Sequence, residues 1–483
     1  MKRERKTQEE TDLDKRLRVP RSPFPSGFYP GRLIAPLLLL LLLGALFTLS
    51  ACTNAVRSPS FPESELGQEH VAPLSTYLSN EKAASGNPTS RTGIATVKIL
   101  LVHGMSHSDL NWSSAFIDAF SKRRGFKVGA CEPVSIPTYA NQPHPAELCI
   151  QQGTDTEFQW VFYSLHWSPI TDPYRCTRPL LEDREKGDPI KAQSGKDGSG
   201  FLCGRETVHY PVRRALVNGT YVKDVVMNNG LPDVVLYLST GYGPVIRDAV
   251  AEALCRMYAD DPKKPCAGGI PPPGSQDRVV FITHSLGANL LLDTLTEIVN
   301  GQPGTANARG AASTDDASLA KAIDKSFEQR IPFYMLANQY VLLNLQRATK
   351  TDRVALTDAK ELPDFFDIRK HSFFESLRRR RTAQGLQSPP SAHSPALQVE
   401  ITAFSDPNDD LSFLLPSATV AQDSAGPDSE IRVQNVFVKN AWEYLGLFEN
   451  PGSAHLAYLD QPEDDDVLSV ILCGMDRQGV GRC

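Results

Sequence analysis

Six short apolar runs rich in β-branched residues limit this chain more than any other feature: Thr96 to Val102, Phe158 to Ser164, Val234 to Leu238, Arg278 to Thr283, Leu397 to Phe404 and Ile431 to Val438. Each is long enough for a buried strand and too short for a core helix. Between them lie stretches with helical apolar spacing, among them Val245 to Met257, Ala288 to Val299 and Val467 to Leu472. Strands apolar on both sides, alternated with amphipathic helices, predict an α/β fold in which helices cover both faces of a mostly parallel central sheet. Ile331 to Leu345 is ambiguous, its apolar run being long enough for a strand followed directly by a helix. Residues 130–157, 169–213 and 347–396 lack this patterning and are expected to be lid-like insertions. The last of them carries the basic run Arg378 to Arg381, a solvated surface or a contact for phosphate head groups.

The start of the chain is of another kind. A basic stretch, Met1 to Arg32, leads into the apolar run Leu33 to Leu49, which ends in Leu49-Ser50-Ala51-Cys52. This resembles the bacterial lipobox, and the resemblance implies removal of residues 1–51, lipid attachment to Cys52 and anchoring in the bacterial cell envelope. A single signal-anchor helix is the alternative, although 17 apolar residues barely cross a bilayer. Residues 52–95, rich in Ser, Pro, Glu and Asn, are expected to form a flexible tether, with the folded domain over 96–483.

Formal charge is -6; residues 1–51 hold nine Lys/Arg and five Asp/Glu, so their removal leaves 41 basic and 51 acidic residues. An acidic body argues against nucleic acid as a partner. Apart from Cys52 there are eight cysteines, at 131, 149, 176, 203, 255, 266, 473 and 483. An even number, falling into neighbouring pairs in an exported chain, predicts disulfides, with Cys255 joined to Cys266 and Cys473 to Cys483. No C-x-x-C or paired Cys/His spacing suggests zinc.

One apolar run leads into chemistry. Arg278 to Thr283 is followed by His284-Ser285-Leu286-Gly287 and then by the helical Ala288 to Leu295, so strand, sharp turn and helix succeed one another around a serine. About two S-x-G triplets are expected by chance in such a length. Of the three present, Ser424 follows no strand, and Ser239 has the bulky Tyr237 two residues before it and reads as a helix-capping or loop hydroxyl. The segment around Ser285 resembles the nucleophile elbow of the α/β-hydrolases, with Thr283 in place of the usual first glycine.

That resemblance implies a serine hydrolase of the esterase or lipase type, with the chain order Ser, Asp or Glu, His. After Ser285 only His371, His393 and His455 remain, and only His455 also follows a late strand and an acidic turn. The acid should come from Asp406, Asp409 or Asp410, just beyond Phe404; Asp409 is preferred because Asp406 is placed to start a turn with Pro407. His103-Gly104-Met105, after the first strand, resembles the H-G-x oxyanion turn, so the Met105 and Leu286 amides are the expected oxyanion donors; the His103 side chain has a structural alternative, holding its loop. The implied reaction is acyl transfer from a small-molecule or lipid ester to water, without metal or organic cofactor. Two other readings use the same residues or fold: an acyltransferase, and a binding lipoprotein without activity.

Overall fold

The computed structural model describes residues 71–79, 95–105, 108–136, 145–172, 230–266, 277–301, 314–351, 368, 372–383, 398–415, 430–440, 443–444, 448–449, 451–459, 466–476 and 479–481. The signal segment, Cys52 and residues 173–229 lie outside them.

Eight strands form one sheet: β1 (Ala95–Val102), β2 (Glu132–Ile136), β3 (Ala146–Thr154), β4 (Phe158–His166), β5 (Arg278–His284), β6 (Ile331–Leu336), β7 (Gln398–Ser405) and β8 (Glu430–Phe437). Their spatial order is β2-β3-β4-β1-β5-β6-β7-β8, and β3 alone runs against its neighbours. Ten helices enter the description: α1 (Leu74–Ser79), α2 (Ser114–Arg124), α3 (Leu231–Leu238), α4 (Tyr242–Tyr258), α5 (Gly287–Asn300), α6 (Thr314–Ser326), α7 (Tyr340–Thr351), α8 (Phe373–Ala383), α9 (Pro451–Leu456) and α10 (Asp466–Cys473). No helix among the described residues is long and apolar enough to cross a membrane.

Side-chain alternation along the strands divides the core in two. Leu100 and Val102 of β1 and Phe281 of β5 pack with α4, α5, α6 and α8 on one face. Ile99, Leu101, Val280 and Ile282 pack with α1, α2 and α10 on the other. Because the central strands are buried on both sides, they read as continuous apolar runs in the sequence. Their ends are level: Val102 lies beside Thr283, His284 beside Leu336, Leu336 beside Phe404, and Ser405 beside Phe437. All the loops leaving these ends therefore meet at one edge of the sheet, where open α/β sheets bind their ligands.

Four expectations are corrected. Val234 to Leu238 is not a strand but the larger part of α3; Pro232 sits in its first turn, Asp233 and Tyr237 are buried four residues apart, and Leu231, Val235 and Leu238 are exposed. The burial has helical period, and proline in a first turn is a helix-start signal. Residues 130–157 are not an insertion, since they supply β2 and β3; Pro133, Glu132 and Gly153 interrupt any apolar run, as suits the margin of a sheet. Within the stretch expected to be a tether, Val71, Leu74, Tyr77 and Leu78 are buried, and Val71 pairs with Met475 through backbone bonds in both directions.

Part of the third expected insertion, α8, also belongs to the body: Phe373, Phe374 and Leu377 are buried, with the Phe373 ring 5.0 Å from Phe327. Its basic run is engaged locally. Arg378 and Arg379 pair with Glu375, Arg381 pairs with Asp324, and Arg380 donates to the Val299 carbonyl. Disulfides join Cys131 to Cys149 and Cys255 to Cys266. Closing loops of this size contributes about 3 kcal/mol each in the chain-entropy picture. Cys473 is also disulfide-bonded, while its expected partner Cys483 lies outside the described residues, as do Cys176 and Cys203.

Candidate active site

Ser285 follows β5 directly and has φ of 54°, a left-handed conformation unusual for a residue with a side chain. Its amide N–H donates to the Leu336 carbonyl of β6, and α5 begins two residues later, so the chain reverses sharply at the serine. Close approach on both sides makes the turn possible. A Cβ on Gly104 would lie 2.5 Å from Ser285 Cβ, and one on Gly287 would lie 2.3 Å from the Val102 carbonyl oxygen. Thr283, which stands where a glycine is usual, is fully buried, with its hydroxyl 3.4 Å from the Tyr334 carbonyl oxygen.

The hydroxyl of Ser285 donates to His455 Nε2 at 3.0 Å. On the other side of the ring, Nδ1 lies 2.8 and 3.0 Å from the two carboxylate oxygens of Asp409. An acceptor-only carboxylate there fixes the Nδ1–H tautomer and leaves Nε2 free to accept. The Asp409 side chain has no exposure, and two further donors meet it: the Leu411 amide at 3.0 Å and the Tyr458 hydroxyl at 3.3 Å. Among the three acids considered, Asp409 alone reaches the imidazole. Asp406 does start a turn, accepting from the Asn408 amide, and its second oxygen accepts from the Asn440 amide at 2.6 Å. Burial raises its pKa above the usual carboxylate value, against the pull of these two amides.

Leu286 occupies the N-cap of α5, and Met105 lies on the loop after β1. Among the described residues neither amide donates to a protein acceptor, and Gly104 presses this loop against the serine. The side chain of His103 holds the loop in place. It stacks on Trp167 with centroids 4.9 Å apart, accepts from the Trp167 amide at Nε2, and has Nδ1 2.8 Å from the Gly104 carbonyl oxygen. The Trp167 indole donates back to the His103 carbonyl at 3.0 Å. Ser239, the rival serine, accepts from the Tyr242 amide at the start of α4 and donates to the Leu236 carbonyl, the capping role expected of it.

Two residues at the site were not singled out from the sequence. Tyr458 lies three residues after His455; it accepts from the Asp406 amide at 2.6 Å and donates to Asp409, so one phenol spans both acids. No pattern in the sequence marks it, because its contacts form only when the loop after β7 meets the chain just beyond His455. His284, next to the serine, donates from Nε2 to the His455 carbonyl at 2.9 Å. Burial, aided by the nearby His455, pushes the His284 pKa down from 6.5 to about 4.

A pH dependence follows. Between about pH 6.5 and 4 an unfolded His284 takes up a proton that the folded one refuses, so stability falls as the pH drops through that window, by up to roughly 3 kcal/mol. Asp406 acts with the opposite sign: its raised pKa contributes stability that is full below the ordinary value of 3.8 and is lost as the pH rises. Melting temperatures across pH 4 to 7 should therefore decline more steeply toward acid in the wild type than in His284→Gln. Parallel curves would contradict the assignment of this acid sensitivity to His284.

No protein-family model matches this chain, and no curated protein or solved structure does.

Proposed function

We propose that this protein is a serine hydrolase of the α/β-hydrolase type that cleaves carboxylic esters. The observation that carries the reading is the unbroken hydrogen-bond chain from Ser285 through His455 to Asp409, with the serine held in a left-handed turn that leads into Leu286 and lies against Gly104, the residue before Met105. Such a chain suits acyl transfer. Ser285 Oγ attacks the ester carbonyl while its proton passes to His455 Nε2; Asp409 stabilises the imidazolium; the two amides receive the charge on the carbonyl oxygen. His455 then protonates the departing alcohol. A water molecule, deprotonated by the same imidazole, cleaves the acyl-enzyme and releases a carboxylic acid.

An apolar substrate is favoured by what surrounds the site. The large exposed hydrophobic residues among those described are Leu231, Val235 and Leu238 on α3, Leu342 and Leu345 on α7, Leu414 beyond Asp409 and Leu456 beside His455. Leu456 adjoins His455, Leu414 follows the Asp409 turn, and α7 starts just beyond the carboxyl end of β6. The N-terminus of α3 touches the oxyanion loop, where Gly230 leaves room for the Met105 thioether. Ser285 itself is fully buried. With p-nitrophenyl esters, turnover should open with a burst of about one equivalent of nitrophenol, the sign of an accumulating acyl-enzyme, and medium chains should outperform acetate. Absence of any ester turnover would reject the reading.

We further propose that Cys52 is lipidated and ties the domain to the bacterial cell envelope, a reading supported by the Leu49-Ser50-Ala51-Cys52 pattern alone. Cys52→Ala should abolish incorporation of labelled palmitate. Persistent label in that variant would reject the lipobox.

A further inference from the structure

We propose that His284 is a positioning residue for the catalytic base, its Nε2–H holding the His455 carbonyl and so fixing the imidazole relative to the strand end that carries the nucleophile. The inference rests on the serine-hydrolase reading. It starts from a backbone problem. Helix α9 is only six residues long, Pro451–Leu456, and His455 stands in its last turn. The final carbonyls of a helix have no partner within it, and a buried one must find a donor elsewhere. Two side chains supply donors here: His284 Nε2 to the His455 carbonyl at 2.9 Å, and Asn440 Nδ2 to the Ala454 carbonyl at 3.1 Å.

The two anchors come from different strand ends. His284 is the last residue of β5, while Asn440 follows β8 and also donates its amide to Asp406. Of the two, only His284 is bonded in sequence to Ser285. A displacement of α9 along the sheet edge would change the Nε2 to Oγ distance of 3.0 Å directly, and the His284 bond opposes that displacement.

The charge state suits this task. A carbonyl oxygen only accepts, so His284 Nε2 must carry its proton, and the neutral ring with Nε2–H is sufficient. The groups facing it are the His455 ring, with centroids 5.3 Å apart, and the Tyr458 ring at 6.0 Å, with the Asp409 carboxylate beyond. A second cation at His284 would oppose the imidazolium that forms on His455 during each acyl transfer; burial keeps it uncharged.

The test compares His284→Gln, which places an amide N–H at similar reach, with His284→Leu, which fills the space without a donor. On a short-chain p-nitrophenyl ester, His284→Leu should lose roughly 10- to 100-fold in kcat with KM changed less than about threefold, and the pH profile of kcat/KM should shift. His284→Gln should recover most of the rate and the wild-type profile. Nitrogen NMR of the His455 ring gives a readout that needs no substrate: one ordered Nδ1–H tautomer in the wild type and in His284→Gln, exchange-averaged signals in His284→Leu. Should His284→Leu destabilise the fold, His284→Asn replaces it, since its amide is too short to reach. Wild-type kcat and wild-type ring signals in the donor-less variant would overturn the proposal, and so would equal impairment in His284→Gln. A wild-type protein without ester turnover would sink the hydrolase reading instead, while the NMR comparison would still decide whether His284 orders His455.

Discussion

Ser285→Ala and His455→Ala are each expected to lower ester turnover by about 10³-fold or more, and the double variant to be little worse than either. The non-additivity follows from the geometry. Ser285 is activated only through the proton acceptor 3.0 Å from its hydroxyl, and an imidazole without that serine has no nucleophile to serve. Asp409→Asn should retain more activity than either, because the Leu411 amide and Tyr458 hydroxyl still surround the site and a misoriented ring can still accept a proton at intervals. Steady-state kinetics on one ester, with all four variants folded by circular dichroism, checks the pattern. Strictly multiplicative losses for Ser285 and His455 would contradict a shared catalytic unit.

Gly104→Ala should be strongly damaging, because it adds a methyl group at the contact between the loop after β1 and the serine turn. The new Cβ would fall 2.5 Å from Ser285 Cβ and 3.0 Å from its Oγ, and also 3.0 Å from the His284 carbonyl oxygen. Something must move, and the movable element is the loop that carries the Met105 amide, held from behind by the stacked His103 and Trp167 rings. A displacement near 1 Å of nucleophile or oxyanion donor costs on the order of 10²-fold in rate. We expect kcat to fall by about that factor, with a loss of about 1–3 kcal/mol in stability from overpacking. Kinetics and denaturant unfolding on the purified variant measure the two effects separately. Unchanged kcat would mean that the loop is not part of the catalytic apparatus.

What the sequence made legible follows burial. The strands β4, β5 and β6 and the carboxyl half of β1 are buried along most of their length, so little interrupts their apolar character, and the strand end carrying Ser285 could be found directly; β7 and the edge strand β8 keep enough apolar residues to be read as strands despite Glu400, Arg432 and Gln434. Strands β2 and β3 were missed because they carry Pro133, Glu132 and Gly153, which dilute the periodicity at that margin of the sheet. Helix α3 was misread as a strand because five consecutive apolar residues mask a period that only the burial of Asp233 and Tyr237 reveals. At the site, the strand, sharp turn and helix around it singled out the serine and chain order the histidine, and the structure brings both together with Asp409. The supporting residues were not legible, since a tyrosine and a histidine have no signature until the loops that bring Tyr458 to Asp409 and His284 to the His455 carbonyl are folded.

The most direct test of the central claim is covalent. Incubation of the intact domain with a fluorophosphonate, followed by peptide mass spectrometry, should find one phosphonyl group per chain on Ser285, formed far more slowly in His455→Ala and in acid-unfolded protein. Label on Ser239, or full ester turnover in a protein that takes up no label at Ser285, would contradict the account.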